Sequence, residues 1–155
     1  MNKRVYLDSN ILLSSIVGRA SERSSSGNII KRLQAHYDVV IPQIVIAEVF
    51  SKILTDNNDS LLKLQNIRKT ILNIINNPST CIPNASKEVY ELALEIIEND
   101  NRVDICDATI VAQAILDNEA DILLTFDKKI LRSGYINDTL IPKYNNRLEI
   151  KEQLR

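Results

Sequence analysis

Val5-Tyr6-Leu7-Asp8-Ser9-Asn10-Ile11-Leu12-Leu13-Ser14-Ser15-Ile16-Val17 is the stretch that decides the fold. A short apolar run, a polar Asp-Ser-Asn turn and a second apolar segment without Gly or Pro read as strand, turn and helix. The same alternation continues down the chain. Asp38-Val39-Val40-Ile41-Pro42 reads as a buried strand stopped by proline, followed by a helix from about Gln43 to Leu54. A second helix, about Ser60 to Ile75, follows the polar break Thr55-Asp56-Asn57-Asn58-Asp59, and Cys81-Ile82-Pro83 is a candidate brief strand. In the next helix, about Lys87 to Glu98, Val89, Leu92, Ala93 and Ile96 share one face. A helix over about Ile105 to Leu116 precedes the clearest strand, Ile122-Leu123-Leu124-Thr125-Phe126. Alternating strands and helices predict an α/β fold, a three-layer α/β/α sandwich around a central parallel sheet.

The remaining segments carry less pattern. Gly18 to Gly27 reads as a polar loop inside the domain, ahead of an amphipathic segment from Asn28 to Ala35. Beyond Ile130 the chain is irregular, with one edge strand expected near Thr139-Leu140-Ile141. The charged tail, about 144–155, is expected to be a solvated last helix or a frayed end. A length of 155 residues fits one domain, with its core over about 5–142.

Composition narrows the function classes. With 45% hydrophobic and 25% charged residues, 3 Gly and 4 Pro, the chain is too apolar to be disordered. Lys and Arg number 19 against 20 Asp and Glu, a net charge of -1, so no bulk positive field draws it to nucleic acid. Any such contact needs a local basic patch or a bound cation. Cys81 and Cys106 lack metal-ligand spacing and His36 is the lone histidine, which argues against zinc or haem. The amino terminus reaches Asp8 before any apolar core of signal-peptide length, and no later run is long enough to cross a bilayer. A soluble protein of a reducing, cytoplasmic compartment with no membrane partner is expected.

The acids carry the chemistry. Asp8 and Asp127 each end a strand, and in a parallel sheet all strand ends point to the edge where open α/β folds bind ligands. Crossover helices run antiparallel to the strands, so Asp104 and Asp107, at the head of the Ile105–Leu116 helix, reach the same edge. Asp104, Asp107, Ala108, Val111 and Ile115 recur at helical spacing, which turns both acids inward. Glu48 lies within Ile44-Val45-Ile46-Ala47-Glu48-Val49-Phe50, too apolar a setting for an unpaired carboxylate. Taken singly, each acid has an ordinary use as a helix cap, a first-turn acid or a surface residue. Crowded together they raise one another's pKa, and a divalent cation relieves that most directly. Oxygen ligands without nearby His or Cys suit Mg²⁺ or Mn²⁺, and such a centre suits phosphodiester hydrolysis.

Three pieces of this sequence, Tyr6-Leu7-Asp8-Ser9-Asn10-Ile11-Leu12, Ile46-Ala47-Glu48-Val49, and Asp107-Ala108-Thr109-Ile110-Val111-Ala112-Gln113-Ala114 followed by Ile122-Leu123-Leu124-Thr125-Phe126-Asp127, resemble the PIN-domain family of metal-dependent ribonucleases, particularly VapC-type toxins. The resemblance spans Val5 to about Leu131. It implies that Asp8, Glu48, Asp107 and Asp127 form the catalytic, metal-binding set for Mg²⁺ or Mn²⁺; Asp107 matches the helix-start acid better than Asp104, which departs from the family pattern as a candidate additional acid. Ser9, Asn10 and Thr125 match positions where the family places small polar residues beside the acids, which implies either a role in orienting carboxylates or water or an ordinary use as turn residues. The activity implied is an endoribonuclease, the toxin of a type II toxin–antitoxin pair, with RNA as substrate, an antitoxin protein as partner and a homodimeric state. Arg19, Arg23, Lys128, Lys129 and Arg132 are candidate RNA contacts, with solvated surface charge as their ordinary reading. Two other readings compete. A receiver-like signalling domain also sets acids and a Thr at a sheet edge, but here Leu7 precedes Asp8 where a second acid is usual. The other is a catalytically silent PIN-like module that only binds a partner.

Overall fold

The computed structural model describes residues 2–17, 29–55 and 61–154. Among them five strands form one all-parallel sheet: β1 (Lys3–Leu7), β2 (Tyr37–Val40), β3 (Thr80–Cys81), β4 (Ala120–Leu124) and β5 (Glu149–Lys151), in the order β3-β2-β1-β4-β5. Helix α1 (Ser9–Val17) follows β1, and a helix over residues 29–36, α2, leads into β2. Then come α3 (Gln43–Thr55), α4 (Leu61–Ile75), α5 (Lys87–Asn99), α6 (Ile105–Leu116), α7 (Lys128–Leu131) and α8 (Ile141–Tyr144). This is the expected α/β sandwich.

Sheet and helices are explained by what they bury. Val5, Tyr6 and Leu7 on β1, Val39 and Val40 on β2, and Ile122, Leu123 and Leu124 on β4 are all buried, the near-continuous apolar runs of parallel strands covered on both faces. Every residue of α6 from Asp107 to Ile115 is buried, because α6 packs against α5, α3 and β4 at once. Helix α5 turns Val89, Leu92, Ala93 and Ile96 to the core, the face that its periodicity predicts. β1 lies centrally, with β2 and β3 on one side and β4 and β5 on the other. The chain therefore reverses its direction of travel across the sheet between β1 and β4, the position at which open α/β sheets carry a ligand crevice beside their C-terminal strand ends. At the opposite end, Asp117 accepts hydrogen bonds from Arg4 Nη1 at 3.0 Å and Tyr6 Oη at 2.8 Å, which ties β1 to the start of β4.

Two expectations for the C-terminal region are corrected. Thr139-Leu140-Ile141 is not an edge strand: Tyr135–Leu140 is a π-helical segment that runs into α8. Ile136 and Leu140 are both buried, so the apolar residues repeat at helical spacing rather than in alternation. The tail is neither a last helix nor frayed. Asn145 Nδ2 donates to the Asp117 and Ala120 carbonyls at 2.9 and 3.2 Å, Leu148 is buried, and β5 pairs with β4 through Ile122↔Glu149, Leu123↔Ile150 and Leu124↔Lys151. Its charges suit an edge strand, whose outer side faces solvent. β4 also ends at Leu124, so Thr125 and Phe126 lie just beyond the strand, and α1 starts at Ser9 rather than Ile11.

Candidate active site

Asp8 and Thr125 are brought together by register. Leu7 pairs with Leu124, and the Asp8 amide donates to the Leu124 carbonyl at 3.1 Å, so the residues just past the two strand ends face each other. Asp8 is fully buried, and its carboxylate is thoroughly bonded. Oδ1 accepts from the Ser9 amide at 2.5 Å, while Oδ2 accepts from Asn10 Nδ2 at 2.7 Å and from the Thr125 hydroxyl at 2.5 Å. Thr125 Oγ1 in turn accepts from the Asp127 amide at 2.9 Å and from Asn10 Nδ2 at 3.3 Å, and Asn10 Oδ1 accepts from the Phe126 amide at 3.0 Å. Ser9, Asn10 and Thr125 thus fix the position of Asp8 and the backbone that carries Asp127. Burial nevertheless raises the Asp8 pKa, against the stabilising hydrogen bonds from Thr125 and Ser9, and the Glu48 charge adds to the rise.

Asp107 is held differently. It lies in the first turn of α6, only 8% exposed, and its carboxylate accepts no hydrogen bond from any described residue. Burial first, and then the charges of Asp8, Asp104, Asp127 and Glu48, push its pKa from 3.8 to about 7. The four other acids all act on Asp107, and it is the focus of their field. Asp104 itself is the N-cap of α6, its Oδ1 accepting from the Asp107 amide at 3.0 Å, which is the ordinary use of an acid at that position. Asp127 likewise caps α7 through the Lys129 amide at 2.6 Å. Glu48, in the second turn of α3, receives Lys52 Nζ on Oε1 at 2.5 Å, while its Oε2 is buried without a partner.

Lys52 is the residue that the sequence reading missed. Its spacing four residues after Glu48 on one helix was the available signal. Cys106, beside these acids, is partly buried, and burial together with Glu48, Asp104 and Asp107 raises its thiol pKa, the opposite of a reactive cysteine. Lys128, Lys129 and Arg132 lie on or just after α7 at this end of the sheet, with Lys128 Nζ paired to Glu152 at 2.7 Å. Arg19 and Arg23 fall outside the described residues. His36 is exposed at the end of α2.

Among the described residues, no three His, Cys, Asp or Glu side chains form a group arranged to hold a metal ion; Lys52 engages Glu48, and the Lys129 amide engages Asp127. The donors themselves fit a hard divalent cation: oxygen throughout, one buried carboxylate oxygen on Glu48 without a partner, and on Asp107 a carboxylate without donors. Charge and unmet bonding both ask for a cation here.

Residues 5–134 match the PIN domain family. The chain belongs to that family. PIN domains are nucleases and generally use a divalent metal. The PIN fold is shared with solved toxin structures. VapBC2 from Rickettsia felis, bound to a DNA fragment from their promoter, is similar over 96% of this chain and 99% of that one, at 20% identity and a TM-score of 0.63. A toxin–antitoxin complex from Klebsiella pneumoniae is similar over 83% and 91%, at 21% identity and 0.57. VapC20 of Mycobacterium tuberculosis, a sarcin–ricin loop cleaving toxin, is similar over 80% and 90%, at 13% identity and 0.59. At these identities the likeness is one of fold. No curated protein matches the sequence closely enough to count as a relative. Family membership sets aside the receiver-like reading.

Proposed function

We propose that this PIN domain is a Mg²⁺- or Mn²⁺-dependent endoribonuclease and the toxin of a toxin–antitoxin pair. The observation that carries the reading is Asp107: a buried carboxylate without hydrogen-bond donors, at the focus of four other acids, in a family of nucleases. A bound cation there would polarise the scissile phosphate and activate water for in-line attack. Asp8, Glu48, Asp107 and Asp127 would hold it. Thr125 and Asn10 keep Asp8 in one rotamer, and the Asp8–Thr125–Asp127 chain of bonds sets the spacing between two ligands. Lys128, Lys129 and Arg132 on the same edge would meet the phosphates beside the cut.

RNA as the substrate is supported by the likeness of fold to a sarcin–ricin loop cleaving toxin, and an antitoxin partner by the likeness to toxin–antitoxin complexes. A homodimer is proposed with it. Among the described residues no helix is long and apolar enough to cross a membrane.

Purified wild type and Asp8→Asn, both checked for folding, are to be compared on structured and unstructured RNAs with Mg²⁺, Mn²⁺ or EDTA. Cleavage that needs the cation and disappears in the variant is expected. A folded variant that cuts at the wild-type rate refutes the assignment of Asp8, and cleavage undiminished in EDTA refutes the cation.

A further inference from the structure

Two intrahelical pairs of the same spacing behave differently in this protein. On α5, Lys87 and Glu91 meet at 3.2 Å with side chains 83% and 61% exposed, an ordinary solvated pair. On α3, Lys52 meets Glu48 at 2.5 Å with side chains 48% and 20% exposed, next to a buried Glu48 oxygen that has no partner. Lys52 also lies in the field of Asp107 and Asp8, and its own charge reaches Cys106 beside them. The pair is part of the acidic crevice rather than of the helix surface.

We propose that Lys52 is a resident counter-ion of the acidic set, occupying Glu48 until a divalent cation displaces it, and so sets how tightly the crevice binds that cation. The inference rests on the cation reading of the site. The physical argument is competition. Glu48 Oε1 cannot give its full charge to an ammonium and to a divalent ion together, and at hydrogen-bond range the two positive charges repel even where water partly screens them. Entry of the cation therefore requires the Lys52 side chain to leave, and its half-exposed stem on α3 gives it room to do so. With the cation absent, the ammonium lowers the repulsion among Asp8, Glu48 and Asp107 that would otherwise strain the folded state.

The test uses the metal-free full chain and Mn²⁺ as the probe, with affinity read from free Mn²⁺ by electron paramagnetic resonance, so no cleavage assay enters. Lys52→Gln is expected to bind Mn²⁺ about tenfold tighter than wild type, within the span of ordinary coupling between sites. Lys87→Gln makes the same change of net charge on the solvated pair and is expected to bind as wild type does. Lys52→Arg, whose planar fork grips a carboxylate more firmly, is expected to bind no tighter than wild type. Equal or weaker binding by folded Lys52→Gln, or tighter binding by Lys52→Arg, overturns the inference and leaves the cation site standing. Should neither wild type nor Lys52→Gln take up Mn²⁺, the cation reading itself falls and the inference falls with it.

Discussion

In the absence of metal, replacing Asp107 by Asn should make the protein more stable at neutral pH. Asp107 is 8% exposed, and burial with four neighbouring carboxylates lifts its pKa from 3.8 to about 7. At about 1.4 kcal/mol for each pH unit, that rise costs the folded state about 4 kcal/mol at pH 7 and above. Asn keeps the shape and removes the charge but must desolvate an amide, at about 1–3 kcal/mol, which leaves a net gain of about 1–3 kcal/mol. For a domain of this size the melting temperature should rise by about 5 °C. The pH dependence gives the sign. A folded pKa above the unfolded value means that the native state holds the proton more tightly, so wild-type stability is full below about pH 4 and is lost as pH rises to about 7. The advantage of the variant should therefore appear within that range and grow toward pH 7, while near its acid end, where only the amide's desolvation cost of about 1–3 kcal/mol remains, the variant should be the less stable protein. The assay is thermal unfolding of both proteins in EDTA across the range, repeated with Mn²⁺, which should raise the wild-type midpoint alone. A variant less stable than wild type at pH 8, or a gain independent of pH, would refute the reasoning.

Further outcomes follow from the same geometry. Thr125→Val keeps the shape but removes the hydroxyl that joins Asp8, Asn10 and the Asp127 amide; urea unfolding should show a loss of about 1–3 kcal/mol, and RNA cleavage should fall at least about tenfold. Asp104→Ala should cost about 1 kcal/mol through the lost α6 cap, whereas Asp104→Ser should restore the stability, and cleavage should survive in both. Loss of cleavage in Asp104→Ser, with its fold intact, would make Asp104 a ligand instead of a cap.

What the sequence disclosed was whatever periodicity and strand ends encode. Asp8 and Asp127 were visible because an apolar run stops at each, and Asp107 because Ala108, Val111 and Ile115 repeat behind it on one stripe. Bonds between residues far apart in the chain left no such trace. The Thr125 hydroxyl reaches Asp8 across 117 positions, and only the pairing of β1 with β4 aligns them. Lys52 was legible by its spacing, yet a lysine four residues after a glutamate is common on helix surfaces, and only its depth distinguishes it. β5 was opaque for another reason. It is held by backbone bonds to β4 and by the Asn145 anchor, so its side chains did not need the alternation by which strands are recognised.

That last strand changes how the protein should be handled. The Thr125 amide donates to the Lys151 carbonyl at 2.9 Å, so the segment that orients Asp8 is clamped from its other side by a strand outside residues 5–134, the span that matches the family. Trimming the gene to that span would leave β4 as a raw edge, open to pairing with other chains, and would slacken the loop from Thr125 to Asp127. The same logic decides where an affinity handle belongs. Fused ahead of β1, it sits at the far end of the sheet from the acids; fused behind β5, it hangs from the clamp itself.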